Sequence, residues 1–206
     1  MATEAPEFEA VVLAAGAGRR FGGGKLLAPW AGGALLDGAL AAAFAAPVRR
    51  VIVVTGTAAA QVEAVVRDIA ARTGAADRLL VVHADDHEEG MGASLRRAAA
   101  ELPADCAGAF VFLGDMPRVP HAVLEGLAQA VRAGAPAAAP VFEGRRGHPA
   151  LIGAGLLPRL LTLNGDAGAR AILKDLGGAL ALVTAPDDGV LFDVDERGDL
   201  AGQPRL

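Results

Sequence analysis

A glycine-rich stretch close to the start of the chain combines backbone freedom with positive charge. Residues 11–29 read VVLAAGAGRRFGGGKLLAP, an apolar run followed by five glycines, two arginines and a lysine. Glycine allows a backbone to approach phosphate oxygens and to turn its N–H groups toward them, while Arg20 and Lys25 can neutralise the remaining negative charge. The stretch therefore predicts a loop that binds a polyphosphate. A flexible surface loop with scattered basic residues is the alternative.

Two familiar phosphate motifs do not describe this loop. A Walker-type loop needs Ser or Thr after its lysine, but Leu26 follows Lys25. The dinucleotide fingerprint begins with Gly16 and Gly18, but Phe21 replaces its third glycine, and the second predicted strand does not end in an acidic residue for a ribose. The sequence therefore disfavours NAD as the ligand.

An aspartate follows another apolar run. FVFLGDMPRVP, residues 110–120, places Asp115 directly after a predicted strand. Mg²⁺ is typically held by one or two carboxylates together with substrate phosphates, so Asp115 and the glycine-rich loop predict a Mg²⁺ site. Asp193 and Asp195, in LFDVDERGDL, are candidates for a second carboxylate, and their spacing leaves the choice open. A turn or helix cap is the alternative role for Asp115.

Short apolar runs alternate along the chain with alanine-rich segments of helical length. Nearly continuous apolar strands are typical of a parallel sheet that is covered by helices on both faces. We predict strands near residues 9–14, 50–55, 78–83, 108–113, 137–142 and 179–184, with a last extended piece near 190–194. We predict helices at 35–46, 58–72, 91–101, 120–133 and 167–176. The expected fold class is α/β with a mostly parallel sheet, and its ligands should bind outside the carboxyl ends of the strands.

Composition narrows the class of protein. The length of 206 residues predicts a single domain over residues 1–206, with residues 1–8 as a flexible leader. A net charge of −5, one tryptophan and no tyrosine argue against a nucleic-acid surface, and no apolar run approaches the ~20 residues of a membrane span. The acidic leader lacks the pattern of a signal or transit peptide, so we expect a cytoplasmic protein. Cys106 is the only cysteine, which excludes an internal disulfide.

Together these motifs resemble the MobA-like nucleotidyltransferases, and most closely the molybdenum cofactor cytidylyltransferases. The resemblance rests on Leu13–Lys25 and Val111–Pro117, with further matches at EEGMGASL (88–95), RRGHPAL (145–151) and NGDAGARAIL (164–173). It implies a single-domain Rossmann-like nucleotidyltransferase fold that binds CTP on the loop after the first strand and Mg²⁺ on Asp115. It further implies transfer of CMP to the phosphate of a molybdopterin-type cofactor, with release of pyrophosphate.

The resemblance also assigns roles to individual residues. Arg20, Lys25 and Asp115 are the expected catalytic residues: the two cations hold the triphosphate, and Asp115 holds Mg²⁺ with Asp193 as the second ligand. The predicted nucleotide contacts are Leu13, Ala14, Ala15, Gly16, Gly18, Arg20, Lys25, Thr55, Gly90 and Ser94. Helix capping is the alternative role of Ser94.

The sequence departs from the family pattern in two places. Ala84 and Asp85 stand where relatives commonly carry Asn-Pro, so a ribose or base contact made by that asparagine is missing or reassigned. Near the C-terminus, residues 196–198 are Glu-Arg-Gly in place of Thr-Pro-Glu.

A basic segment after the fifth predicted strand offers a place for a second anionic substrate. Arg145, Arg146 and His148 suit a phosphate-bearing pterin, with a hydrogen-bonded turn as the alternative role of the histidine. Asp166, in NGDAGAR, fits a helix N-cap. CTP and this pterin are therefore the expected partners, and a molybdoenzyme apoprotein is a further one.

Two alternatives remain open. The same fold can serve GTP, or a sugar or polyol phosphate acceptor, although the Leu-Ala-Ala-Gly start resembles the cytidylyl branch more than the guanylyl branch. The second alternative is a non-enzymatic, nucleotide-binding chaperone that delivers the mature cofactor to a molybdoenzyme. Nucleotide binding without pyrophosphate release would favour the chaperone.

Overall fold

The computed structural model describes residues 8–202, so the predicted leader lies outside the described residues except for Phe8, which begins the first strand. The strands are β1 (Phe8–Ala14), β2 (Pro29–Trp30), β3 (Gly33–Ala34), β4 (Val48–Thr55), β5 (Leu79–His83), β6 (Gly108–Leu113), β7 (Ala137–Phe142), β8 (Arg145–Arg146), β9 (Ala150–Gly153) and β10 (Leu180–Thr184). The α-helices are α1 (Leu36–Ala45), α2 (Ala59–Arg72), α3 (Met91–Ala99), α4 (Ala122–Arg132), α5 (Leu157–Leu160) and α6 (Arg170–Asp175). Within that range, none of the helices is long and apolar enough to cross a membrane.

One mixed sheet forms the centre of the fold, with strand order β10-β7-β9-β6-β1-β4-β5 and β8 paired to β7. β1 runs parallel to both β4 and β6, β5 runs parallel to β4, and β10 runs parallel to β7. The prediction of an α/β fold with a mostly parallel sheet is confirmed. β9 was not predicted: it is a buried strand of four residues that runs antiparallel to β6 and β7.

Helices cover both faces of the sheet because the central strands are apolar on both faces. Ala10 and Val12 of β1 belong to a core that includes residues of α1, α2 and α4. Val11 points to the opposite face and belongs to a second core that includes residues of α3 and α6. The middle of each central strand is therefore buried, and only the strand ends are free to carry polar side chains.

The last extended piece predicted near 190–194 does not form a strand. Asp188–Val190 form a 3-10 turn, and the residues after it pair with no strand among those described. Phe192 and Val194 pack in a cluster with Trp30 instead of on the sheet. The alternation of apolar and acidic residues in this segment therefore reflects packing against a loop rather than strand pairing.

A buried charge joins β1 to β4 at the end of the sheet opposite the carboxyl edge. Glu9 is fully buried, and its carboxylate accepts hydrogen bonds from Arg49 Nε at 2.9 Å and Arg50 Nε at 3.4 Å. Arg49 also forms an ion pair with Asp105. Because a buried carboxylate is costly unless it is paired, these contacts fix the start of β1.

Removing this carboxylate should destabilise the fold. We expect Glu9→Ala to lower the free energy of unfolding by about 3 kcal/mol, because two arginines lose their buried partner. Glu63→Ala is the control: it removes an exposed pair with Arg67 and should cost less than about 0.5 kcal/mol. Urea denaturation measures both values, and equal losses in the two variants would contradict the anchoring role of Glu9.

Candidate functional site

The glycine-rich loop turns back on itself immediately after β1. Gly18, Gly22, Gly23 and Gly24 have φ values from 58° to 91°, a region that side chains rarely adopt. The Gly23 amide donates a hydrogen bond to the Gly18 carbonyl at 3.1 Å. A Cβ atom at Gly18 would lie 2.9 Å from the Cβ of Lys25. The loop therefore brings Lys25 back against its own beginning.

Lys25 forms a short ion pair with Asp115. Its Nζ donates to Asp115 Oδ2 at 2.6 Å, and the two side chains are only 12% and 23% exposed. The sheet brings them together: Leu13 is the register partner of Leu113, and the Gly114 amide donates to the Leu13 carbonyl at 3.0 Å. Because neighbouring parallel strands end at the same edge, the loop after β1 and the aspartate after β6 meet there.

Two further aspartates lie beside this pair. Asp195 accepts a hydrogen bond from Arg20 at 2.9 Å, and its other oxygen lies 3.6 Å from Lys25 Nζ. Partial desolvation, and after it the negative charges of Asp115 and Asp195, raise the pKa of Asp193 above its ordinary value. Both candidates for the second carboxylate therefore lie close to Asp115, and three acids share one lysine.

Aromatic packing holds residues 192–197, the acidic segment that contains Asp193 and Asp195, in this position. Phe21 of the glycine-rich loop is buried in a cluster with Trp30 and Val194. The rings of Trp30 and Phe192 lie 5.8 Å apart, and the Arg197 guanidinium lies 4.8 Å from the centre of the Phe21 ring. Because the apolar residues of the segment point into this cluster, the intervening aspartates are left on the side of the lysine.

The residues around Lys25 fit a metal ion that arrives together with a triphosphate. Within residues 8–202, no group of three or more His, Cys, Asp and Glu side chains is arranged to hold a metal by itself. Mg²⁺ commonly binds through one or two carboxylates plus substrate phosphates. Asp115 and Asp193 can supply those carboxylates once Lys25 has moved away from Asp115.

A first cavity of about 410 Å³ opens between the glycine-rich loop and the start of α3. The predicted site residues that line it are Leu13, Ala15, Gly16, Gly18, Lys25, Gly90, Ser94 and Asp115. Arg20 does not line it, because its guanidinium turns outward to Asp195 and its side chain is 76% exposed. Ala14 and Thr55 are buried outside its lining, and the Thr55 hydroxyl donates to the Val82 carbonyl at 3.2 Å.

Thr57 and His87 are among the residues of the first cavity that sequence reasoning missed. His87 Nδ1 donates to the Ala84 carbonyl at 2.9 Å, which leaves Nε2 to accept from the Thr57 hydroxyl at 3.3 Å. Thr57 and His87 both line the cavity. Each follows a strand end at the carboxyl edge, which is the only sequence signal that points to them.

A second cavity, of about 660 Å³, contains the predicted second-substrate residues Arg145, Arg146 and His148. Asp193 and Arg170 also line this cavity, and many of the remaining lining residues are apolar. Across the described part of the chain, Arg145, Arg146 and Arg170 form no ion pair. Their positive charge is therefore available to an anionic ligand.

His148 also favours a ligand in the second cavity. Its Nδ1 atom is buried and has no hydrogen-bond partner among the described residues. Burial, more strongly than any neighbouring charge, lowers the pKa of this imidazole below its ordinary value. A neutral ring with an unpartnered buried nitrogen is costly unless a ligand or water satisfies it.

The two cavities adjoin. Met91, Leu113 and Asp166 line both of them, while Asp115 lines the first and Asp193 lines the second. A molecule in each cavity would meet its neighbour beside this pair of carboxylates. The arrangement is suited to moving a group between two anionic ligands, with a cation at the boundary.

The predicted N-cap role of Asp166 is wrong. Helix α6 begins at Arg170, its N-cap residue is Ala169, and no side chain caps it. Gly168, with a φ of 50°, breaks the helix between the two positions. The Asp166 carboxylate is exposed on the wall that the two cavities share.

Comparison with known proteins identifies the family and the fold. Residues 10–181 match a family model described as the MobA-like NTP transferase domain. Nicotine blue oxidoreductase from Paenarthrobacter nicotinovorans is 32% identical, and the match covers 94% of each chain. A solved structure of the Rv0371c homologue from Mycobacterium sp. strain JC1 is 31% identical with a TM-score of 0.81, covering 95% of this chain and 96% of that one. Rv0371c from Mycobacterium tuberculosis H37Rv, solved as a complex with manganese, is 25% identical with a TM-score of 0.70, covering 88% and 89%.

The crowding of carboxylates yields a test of the metal site. Asp193→Asn should raise the thermal unfolding temperature of the metal-free protein, because it relieves repulsion from Asp115 and Asp195. Adding Mn²⁺ should then stabilise the wild-type protein more than the variant. Asp175→Asn, which alters an exposed pair with Arg159, is the matched control. A lower unfolding temperature for Asp193→Asn would contradict this account of the site.

Proposed function

We propose a function from the premise that this chain belongs to the MobA-like NTP transferase family. The proposed reaction transfers CMP from CTP to the phosphate of a molybdopterin-type cofactor and releases pyrophosphate. The observation that carries the proposal is the meeting of two cavities beside Asp115 and Asp193, one lined by a glycine-rich loop and the other by unpaired arginines. A nucleotidyltransferase needs this division, because its two substrates are both anionic and must touch at one phosphorus atom.

The first cavity supports binding of the nucleoside triphosphate. Backbone N–H groups of the glycine-rich loop can bind phosphate oxygens, and Lys25 can leave Asp115 to neutralise the β- and γ-phosphates. Arg20 can turn from Asp195 toward the same phosphates, since its side chain is exposed. These cations stabilise the pyrophosphate as negative charge develops on it.

Asp115 and Asp193 are the residues that would hold Mg²⁺. When bound, the ion supplies positive charge to the reacting phosphates. Release of Lys25 from Asp115 exposes a carboxylate oxygen on the side of the first cavity, and Asp193 offers another on the side of the second. The two carboxylates would thus hold the ion where the two cavities adjoin.

The second cavity supports an acceptor that carries a phosphate on a flat ring system. Arg145, Arg146 and Arg170 can bind the phosphate, and the apolar side chains among the lining residues suit the faces of a pterin ring better than a polyol. A phosphate monoester is mostly dianionic at neutral pH, since its second pKa is about 6, so its oxygen attacks without a general base. The new bond joins that oxygen to the α-phosphorus of CTP, and the bond from this phosphorus to the bridging oxygen breaks as pyrophosphate leaves.

A redox activity is the second candidate function, because the relative from Paenarthrobacter nicotinovorans is named as an oxidoreductase. The loop favours it less, since Phe21 occupies the place of the third glycine of the dinucleotide fingerprint and is buried. GTP in place of CTP is a variation on the first candidate. All three possibilities predict different products.

A single panel of assays separates these functions. The purified protein is incubated with Mg²⁺, a phosphate-bearing pterin and each of CTP, GTP, ATP and UTP, and pyrophosphate is measured. We expect release with CTP that depends on both the metal and the acceptor. Pyrophosphate release with GTP and not with CTP would show that GTP is the nucleotide donor. Oxidation of NADH or NADPH without pyrophosphate release would support the redox activity instead of the proposed function.

Asp115→Asn tests the metal role. The substitution keeps the shape and removes the charge, so pyrophosphate release should fall about a hundredfold or more while the fold survives. Mn²⁺ should restore part of the activity, because it accepts neutral ligands more readily than Mg²⁺ does. Asp188→Asn, at an exposed aspartate paired with Arg118, is the control. Near-normal activity of Asp115→Asn at limiting Mg²⁺ would remove the metal role.

Lys25→Ala tests the triphosphate contact. Loss of one charge-assisted contact that strengthens in the transition state should lower kcat by about a hundredfold, or roughly 2–3 kcal/mol. Lys174→Ala, on the exposed side of α6, should leave kcat unchanged. Steady-state pyrophosphate release measures both variants, and an unchanged kcat for Lys25→Ala would rule out its assignment.

A further inference from the structure

Asp166 occupies the wall that separates the two cavities and has no role in the reaction described above. It lies in a 3-10 turn, Gly165–Ala167, and its side chain is exposed toward both cavities. Within residues 8–202 it forms no ion pair and no side-chain hydrogen bond. Its carboxylate oxygens are therefore free to accept hydrogen bonds from a ligand.

Close packing fixes the position of this carboxylate. A Cβ atom at Gly90 would overlap the Asp166 carboxylate and would lie 2.6 Å from the carbonyl carbon of Gly165. A Cβ atom at Gly92 would lie 2.9 Å from the Gly165 oxygen. The turn is thus seated directly on the backbone at the start of α3, which only glycine permits.

Arg96 ties the same turn to the segment before α3. Its guanidinium donates to the Leu163 carbonyl and, at 3.0 Å, to Asn164 Oδ1. It also donates to Asp86 at 2.7 Å and to Glu89 at 2.9 Å. One side chain therefore holds the turn and the wall of the first cavity in a fixed relation.

The charge of Asp166 restricts what it can contact. A carboxylate with no cation beside it repels phosphate, so it is stable next to a bound triphosphate only where it faces neutral hydrogen-bond donors. In the first cavity, the glycine-rich loop and Lys25 are the groups suited to phosphates, whereas Asp166 packs against Gly90 at the start of α3. The part of a nucleotide that lies between its phosphates and its base is the ribose, which carries neutral hydroxyl donors.

We infer that Asp166 accepts hydrogen bonds from the ribose hydroxyls of the nucleotide and makes the site selective for ribonucleotides over deoxyribonucleotides. The inference rests on the proposed function, because it takes the first cavity to hold a nucleoside triphosphate. It adds a specificity-determining residue to the first cavity. Asp166 comes more than fifty residues after the other residues that line this cavity. The same contact would hold the ribose at the boundary where the acceptor enters.

Nucleotide binding tests this inference without requiring turnover. Calorimetry measures the affinity of the wild-type protein for CTP, 2′-deoxy-CTP and 3′-deoxy-CTP in the presence of Mn²⁺. We expect CTP to bind roughly tenfold or more tightly than at least one deoxy analogue, as is typical of hydrogen bonds to a charged group. Asp166→Ala should bind all three nucleotides with similar affinity. Asp175→Ala, at an exposed aspartate outside both cavities, should retain the wild-type discrimination.

The outcomes are distinct. Equal binding of CTP and both deoxy analogues by the wild-type protein overturns the inference, as does full discrimination by Asp166→Ala. Thermal unfolding of both variants shows that the fold is retained. A wild-type protein that binds none of the three nucleotides contradicts the proposed function itself, and the inference fails with it.

Discussion

The parallel pairing of β1 with β4 and β6 is the constraint on which the site depends. Ala14 lies opposite Thr55 and Leu13 lies opposite Leu113, so three loops begin at the same edge of the sheet. The backbones there are too close for a side chain at Gly114, where a Cβ atom would lie 2.9 Å from the Leu13 carbonyl oxygen. The glycine-rich loop and the aspartate after β6 therefore meet because the strands are in register.

Charge at that edge is only partly balanced by the protein's own side chains. Three aspartates gather around one lysine, with an outlying arginine on Asp195. A triphosphate would draw the lysine away and leave the acids unbalanced, whereas a metal ion would take its place beside them. Nucleotide and metal should therefore bind cooperatively, because the metal replaces the lysine charge beside the aspartates and the phosphates give the displaced lysine a new partner. Crowded carboxylates lower the stability of the free protein, and binding of nucleotide and metal raises it again.

Local patterns allowed much of this to be predicted from the sequence. Apolar runs indicated the parallel strands, and the glycine-rich loop and Asp115 stood out because each directly follows such a run. β9 was missed because four buried residues carry no periodicity. Asp166 was misassigned because its place depends on how distant backbones pack. Phe21, which takes the place of the third glycine in the dinucleotide fingerprint, packs against the acidic segment in an aromatic cluster, and the sequence did not indicate this role.

The exchange of Lys25 for a metal ion on Asp115 is the central claim, and a structure of the protein with CTP and Mg²⁺ tests it most directly. The distance from Lys25 Nζ to Asp115 Oδ2 is 2.6 Å in this structure. We expect it to exceed about 4 Å in the complex, with the ammonium on a phosphate and Asp115 on the metal. A complex in which CTP is bound while the ion pair stays intact and Asp115 has no metal would contradict the account.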